Sequence, residues 1–168
     1  MPTWEEREAR EAQIKARWDH EAVLAGCGSV GPRMLGVIQA IWDLDRPRAE
    51  ALDAGYWATL AEAQEAGVVK DWERAFTYSA GFPDHPADLY AIDPWSRVAF
   101  SYAGLIAREK TWALAQGQVG LVPVERAAMG AVLALSVERA AEGGWYHPVS
   151  AELSEWVARP WRRVIGAL

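Results

Sequence analysis

Met34, Val37, Ile38, Ile41 and Trp42 are spaced three, four, seven and eight residues from the first of them, which is the spacing of one face of an α-helix. Similar helical spacings recur along the chain. No stretch of strand length alternates apolar and polar residues, and no Asn-Gly or Asp-Gly pair is placed to close a hairpin. The pattern predicts an all-α fold. For 168 residues a single domain spanning 1–168 is expected, and folding should bury roughly 70% of the surface that the unfolded chain exposes. The expected architecture is a compact bundle of six to eight helices, with the first partly projecting and the second, fifth and sixth long ones at the centre.

Thr3 followed by Glu6 forms a capping box, and no Gly or Pro occurs until Gly26, so one helix is expected over 3–25. From Glu5 to Glu11 nearly every side chain is charged; the apolar positions Ile14, Trp18, Val23 and Leu24 come later. Residues 1–12 therefore read as a projecting helical arm, solvated or matched by another chain. Pro32 opens a second helix, and Asp45-Arg46-Pro47 ends it and opens a third, which Gly67 stops. That third helix carries Leu52, Tyr56, Leu60 and Ala63 on one face, and a fourth is expected over 68–79.

The prolines of segment 81–86 mark a loop. Asp93-Pro94 starts a long helix reaching about Gln116, whose core side is expected to carry Trp95, Val98, Tyr102, Leu105, Ile106 and Trp112. The next helix, 123–141, contains Ala127, Ala128, Gly130, Ala131 and Ala134, small residues that let neighbours approach closely. Gly143-Gly144 should end it, and Ser150 or Ser154 should cap a last helix that Pro160 breaks.

Composition narrows the function. The longest charge-free stretch, Thr111 to Val124, holds Gly117, Gly120 and Pro123 and falls short of the ~20 apolar residues a membrane span needs. The acidic start, Trp4-Glu5-Glu6, has no secretory pattern, so a cytoplasmic location and no membrane partner are expected. The single cysteine, Cys27, excludes an internal disulfide and any multi-cysteine metal site. A net charge of −6 argues against nucleic acid as a partner, although the tail 157–168 is locally basic through Arg159, Arg162 and Arg163. Cations there suit the C-terminal end of a helix.

Gly26-Cys27-Gly28-Ser29-Val30-Gly31 resembles the G-x-G-x-x-G turn of dinucleotide-binding folds, in which a strand leads into the glycines and a helix N-terminus meets the pyrophosphate. Here the preceding residues continue a helix and Pro32 removes an N–H, so a flexible hinge between helices is expected; a strand over 20–25 would reverse that. Glu142-Gly143-Gly144-Trp145 resembles the glutamate-glycine-glycine-aromatic element of one family of phage muramidases, which would make Glu142 a general acid. The likeness covers those residues alone, the element comes early in that family and late here, and two glycines ending a helix account for the string.

His20, His85 and His147 are too far apart to supply paired ligands from one helix, and no metal or cofactor is expected. The acidic pairs Asp43 with Asp45 and Glu62 with Glu65 read as solvated faces. Ten tryptophans are spread over nearly every helix, and most must be core. Trp4, before a segment with no apolar stripe, and Trp161, beside Arg162 and Arg163, are the candidate partner-binding residues. The expected function is a non-enzymatic protein–protein interaction or assembly module, an accessory subunit or a homo-oligomer. The alternative is a small-molecule- or metal-binding helical-bundle enzyme. Its pocket would lie near the 81–86 and 143–148 loops, lined by His85, Trp145, Tyr146 and His147.

Overall fold

A computed structural model describes residues 3–79, 94–115 and 121–168. Among these, eight α-helices and one 3-10 turn form an all-α bundle without a strand. They are α1 (Trp4–Arg17), α2 (His20–Gly26), the turn Gly28–Val30, α3 (Gly31–Trp42), α4 (Arg46–Glu65), α5 (Val69–Ser79), α6 (Pro94–Ala115), α7 (Leu121–Gly143) and α8 (Ala151–Val164). The loop 81–86 lies outside the described residues.

The hub is α7, which packs against α3, α4, α5, α6, α8 and the 3-10 turn. Val124, Ala127, Ala128 and the whole run from Ala131 to Val137 are buried. A helix apolar on every side has to be enclosed, and here five helices do it. Of the helices expected at the centre, α6 and α7 are there, whereas α4 and α8 enclose α7 more extensively than α3 does. Small residues set the closest approach. An added Cβ on Gly130 would run into the backbone carbonyl of Val157 on α8, and one on Gly104 of α6 would lie 2.7 Å from the Met129 sulfur of α7.

On α6 the expected stripe is borne out in part, since Tyr102 and Ile106 are buried and Trp95 and Leu105 pack against the core. Ser96, Ala99, Phe100, Ala103, Ala107 and Thr111 are buried together with Tyr102 and Ile106, whereas Val98 is 46% exposed. Within the same helix Gly104 lies against Met129 of α7.

The helix expected over 3–25 divides at Trp18-Asp19. Asp19 has extended backbone and its carboxylate accepts a hydrogen bond from the Ala22 N–H at 3.0 Å, so it caps α2 instead of continuing α1. Trp18 turns inward and stacks on Tyr102 with ring centroids 4.2 Å apart. The Thr3–Glu6 capping box forms in both directions, Thr3 N–H to Glu6 and Glu6 N–H to Thr3 Oγ1. α1 meets α6, and Trp4, Glu5, Glu6 and Glu8 are exposed, so the first helix partly projects.

Ser150 caps α8, its hydroxyl accepting from the Leu153 N–H. Pro160 does not end this helix, which runs on to Val164. An internal proline costs about 3 kcal/mol, and the helix is held on both sides of it. The Glu62 carboxylate of α4 accepts from Arg159 and Arg163, which bracket the proline.

The contact at Gly130 yields a paired prediction. Gly130→Ala is expected to lower the unfolding free energy by roughly 1–3 kcal/mol, the cost of overpacking against rigid backbone. Gly36 of α3, with open space at its Cβ position, is the control. Gly36→Ala is expected to raise stability by about 0.5–1 kcal/mol through helix propensity. Urea denaturation of both variants measures the two effects.

Candidate contact surface

The C-terminal end of α7 carries the most exposed aromatic pair among the described residues. Gly144 has φ +70°, a left-handed conformation that glycine takes without strain, and it reverses the chain. The Gly144 N–H donates to the Ala141 carbonyl at 3.3 Å and the Trp145 N–H to that of Ala140 at 2.8 Å, which satisfies carbonyls that the helix end would leave orphaned. The Trp145 indole then folds back over Gly143, where a Cβ would come within 2.9 Å of the ring. The Arg139 guanidinium lies over the same ring at 5.4 Å from its centroid. Trp145 is thus held in place yet 56% exposed, and Tyr146 beside it is 67% exposed.

His147 fixes the other end of this loop. Its Nδ1 accepts from the Val149 N–H at 3.0 Å, so that nitrogen carries no proton. The Ser136 hydroxyl donates to the Leu133 carbonyl at 2.7 Å, and His147 Nε2 stands 3.2 Å from the same hydroxyl oxygen. The tautomer follows: Nε2–H donates to Ser136 Oγ. Val149 itself is buried, and Ser150 after it caps α8.

The glycine-rich segment abuts this end of α7. Residues 20–25 lie in helix α2, so no strand leads into the glycines. The segment joins two helices, as expected, in a turn packed against α7. Cys27 is fully buried, Gly26 lies against the Trp95 ring, and Gly28 sits beside Arg139. Ser29 Oγ donates to Glu142 Oε2 at 2.5 Å, tying the turn to the end of α7. Glu142 is exposed and engaged in this bond, and Gly143-Gly144 is the helix terminus that the string also allowed.

The residues expected to bind a partner separate. Trp4 is 65% exposed at the start of α1. Trp161 is 2% exposed and belongs to the core, so its indole does not reach the surface. Arg162 pairs with Glu155 at 3.3 Å, and Arg163 donates to Glu62 and to Thr59 Oγ1. Arg159 and Arg163 therefore line the seam between α4 and α8, where Arg159 also lies over the Trp156 ring at 3.9 Å, whereas Arg162 pairs within α8. A spacing signal for Trp161 was present: Ser154, Val157, Ala158 and Trp161 recur at the intervals of one helix face, and all four are buried.

Of the residues expected to line a pocket, His85 lies outside the described residues. Trp145, Tyr146 and His147 share one loop, with the two aromatics facing outward. A cleft of about 290 Å³ does open between α5 and α8, floored by Val68, Leu153 and Trp156 with Asp71, Arg74 and Glu152 at its sides. It takes only Pro148 from the 143–148 loop. Among the described residues no group of three or more His, Cys, Asp and Glu side chains is placed to hold a metal ion. None of their helices is long and apolar enough to cross a membrane. Among the acidic pairs, Asp45 caps α4 and Asp43 accepts from Gln39, whereas Glu62 takes two arginines of α8 and so is not merely a solvated face.

Arg139 and Ser29 border the surface and the buried Ser136 supports it from beneath, and sequence reasoning did not single them out. Arg139 stands four residues before Gly143, on the same helix face, but nothing local in the sequence says that the chain will reverse beneath it. Comparison with known proteins found no matching family model, no matching characterised protein and no matching solved structure.

The Glu62 clamp has a pH signature. The Arg163 hydrogen bond above all, with Arg159 assisting and partial desolvation opposing, holds the Glu62 carboxyl below the ordinary carboxylate range. A depressed folded-state value means that the stabilisation is complete above the unfolded carboxylate range and is lost as pH falls through the folded value. Glu62→Gln is therefore expected to be less stable than wild type at neutral pH, with the difference vanishing in acid. Thermal denaturation of both proteins across pH 7 to about pH 3 checks this.

Proposed function

We propose that the chain is a non-enzymatic protein–protein interaction or assembly module, acting by self-association or as an accessory subunit, with Trp145 and Tyr146 at the centre of its contact surface. One observation carries the reading. A Trp and a Tyr stand next to each other, 56% and 67% exposed, on a loop anchored at both ends. Large exposed aromatics beside an arginine are the composition in which binding hot spots are enriched. Holding the indole against Gly143 and Arg139 in the free protein also lowers the entropy lost on association. Trp4, on the partly projecting α1, is a second exposed anchor.

The cleft between α5 and α8 supports a second reading, a site for a small molecule whose apolar part would rest on Val68, Leu153 and Trp156.

Sedimentation velocity on the full chain over a concentration series tests the first reading. Wild type is expected to form a species heavier than the monomer. Replacing Trp145 and Tyr146 by alanine is expected to weaken that association by at least about 30-fold, the factor of a lost hot spot, without changing the helical circular dichroism signal. Undiminished self-association of the double variant would refute the placement of the contact surface. A wild type that stays monomeric throughout would remove self-association and leave the accessory-subunit form.

A further inference from the structure

We propose that His147 is a proton-operated latch: its neutral imidazole seats the loop that presents Trp145 and Tyr146, and protonation releases it. Both ring nitrogens are committed. Nδ1 can receive the Val149 N–H only while it lacks a proton, and Ser136 Oγ, whose own hydrogen goes to the Leu133 carbonyl, offers Nε2 a lone pair. The two bonds point to the same tautomer and leave the ring no third proton-accepting position. Adding a proton at Nδ1 sets two N–H groups against each other across 3.0 Å. Either the ring or the Val149 amide must then move.

That amide precedes the α8 cap, and Val149 is 1% exposed, so the strand of chain between the Gly144 turn and α8 loses its second anchor. The first anchor, the Trp145 N–H to the Ala140 carbonyl, is indifferent to pH. Release therefore frees one end of the aromatic pair while the helices stay packed. Among the described residues, the charged side chains near this end of the adjoining helices include Glu138, Arg139 and Glu142 on α7 and Glu152, Glu155 and Arg159 on α8, with Asp71 and Arg74 of α5 across the cleft. Glu138 is paired with Arg33 at 2.7 Å, and Asp71, Arg74 and Glu152 line the cleft that Pro148 enters. An imidazole ordinarily takes up its proton between about pH 7.5 and about pH 5.5. The latch stands apart from the contact reading; only its consequence for assembly rests on that reading.

Two-dimensional NMR of the nitrogen-15-labelled full chain tests it. At about pH 7.5 the ring nitrogens of His147 are expected to show the Nε2–H tautomer. On acidification the Val149 amide, the Tyr146 amide and the Trp145 indole N–H are expected to shift with the same midpoint as the His147 ring itself. The protection factor of the Val149 amide is expected to fall about tenfold, the value of one ordinary hydrogen bond. His147→Asn, which offers an acceptor oxygen that does not titrate, is expected to abolish these shifts, and so separates His147 from His20 and from the histidine outside the described residues. An Nδ1–H tautomer, a Trp145 resonance that stays still while His147 titrates, or shifts that persist in the variant would each overturn the latch. Should the variant fail to fold, the tautomer and the shared midpoint in wild type still decide. None of these outcomes alters the sedimentation comparison, so the two readings fail separately.

Discussion

The close approach of α7 to its two principal neighbours is the constraint on which the remaining geometry depends. Gly130 lets the Val157 carbonyl of α8 come against the α7 backbone, and Gly104 lets Met129 of α7 come against α6. A layer this thin leaves little room for large side chains at the axis, where the buried α7 residues are mostly Ala, Val and Leu. The tryptophans are displaced outward as a consequence. Trp72 and Trp161 fill the gaps between outer helices and are fully enclosed, whereas Trp4, Trp57 and Trp145 remain more than half exposed.

Charge then fixes how the outer helices sit on that hub. Arg126 of α7 reaches Tyr56 Oη on α4 and Glu73 on α5, and its guanidinium lies 5.0 Å over the Phe76 ring. Glu62 joins α4 to α8, and Arg33 of α3 donates to Glu138 of α7 and to the Leu168 carbonyl. Partly exposed ion pairs contribute little to stability individually. Their value here is directional, because each bridges two elements far apart in sequence and favours one helical register. The net charge of −6 does not conflict with this, since the pairs draw on both signs locally.

Features governed by a few consecutive residues were legible in the sequence. The Thr3–Glu6 box, the Asp45 and Ser150 caps and the helix-ending Gly143-Gly144 all form as their spacing predicts. So does the close packing implied by the alanines of 127–134. Failures occurred where a local signal met a tertiary one. Asp19 sits mid-pattern with no Gly or Pro to mark it, and it becomes a cap because Trp18 finds Tyr102 inside. On α6 the bulky residues recur at helical spacing, but Val98 among them is exposed while Ala99, Ala103 and Ala107 are buried. Trp161 was assigned by its arginine neighbours, although its own face repeats with the period of a core helix. The site was half legible: Trp145, Tyr146 and His147 were picked out together, but as pocket lining. Arg139, Ser29 and Ser136 depend on contacts across the fold, and Ser29 meets a partner 113 residues away.

Exposure alone does not make an aromatic a contact residue, because more than half of any folded surface is apolar. What distinguishes Trp145 from Trp57 is the way each is held. Trp57 donates its indole N–H to Asp53 one turn earlier on the same helix, an arrangement that serves the helix itself. Trp145 is fixed by elements that gain nothing locally from its ring: a glycine that makes room beneath it and an arginine from the preceding turns laid across it. Immobilising a large side chain in water costs conformational entropy with little burial in return, about 0.5–1.5 kcal/mol for a rotamer-rich group. On the proposed reading, that cost would be recovered when another surface covers the ring already in place.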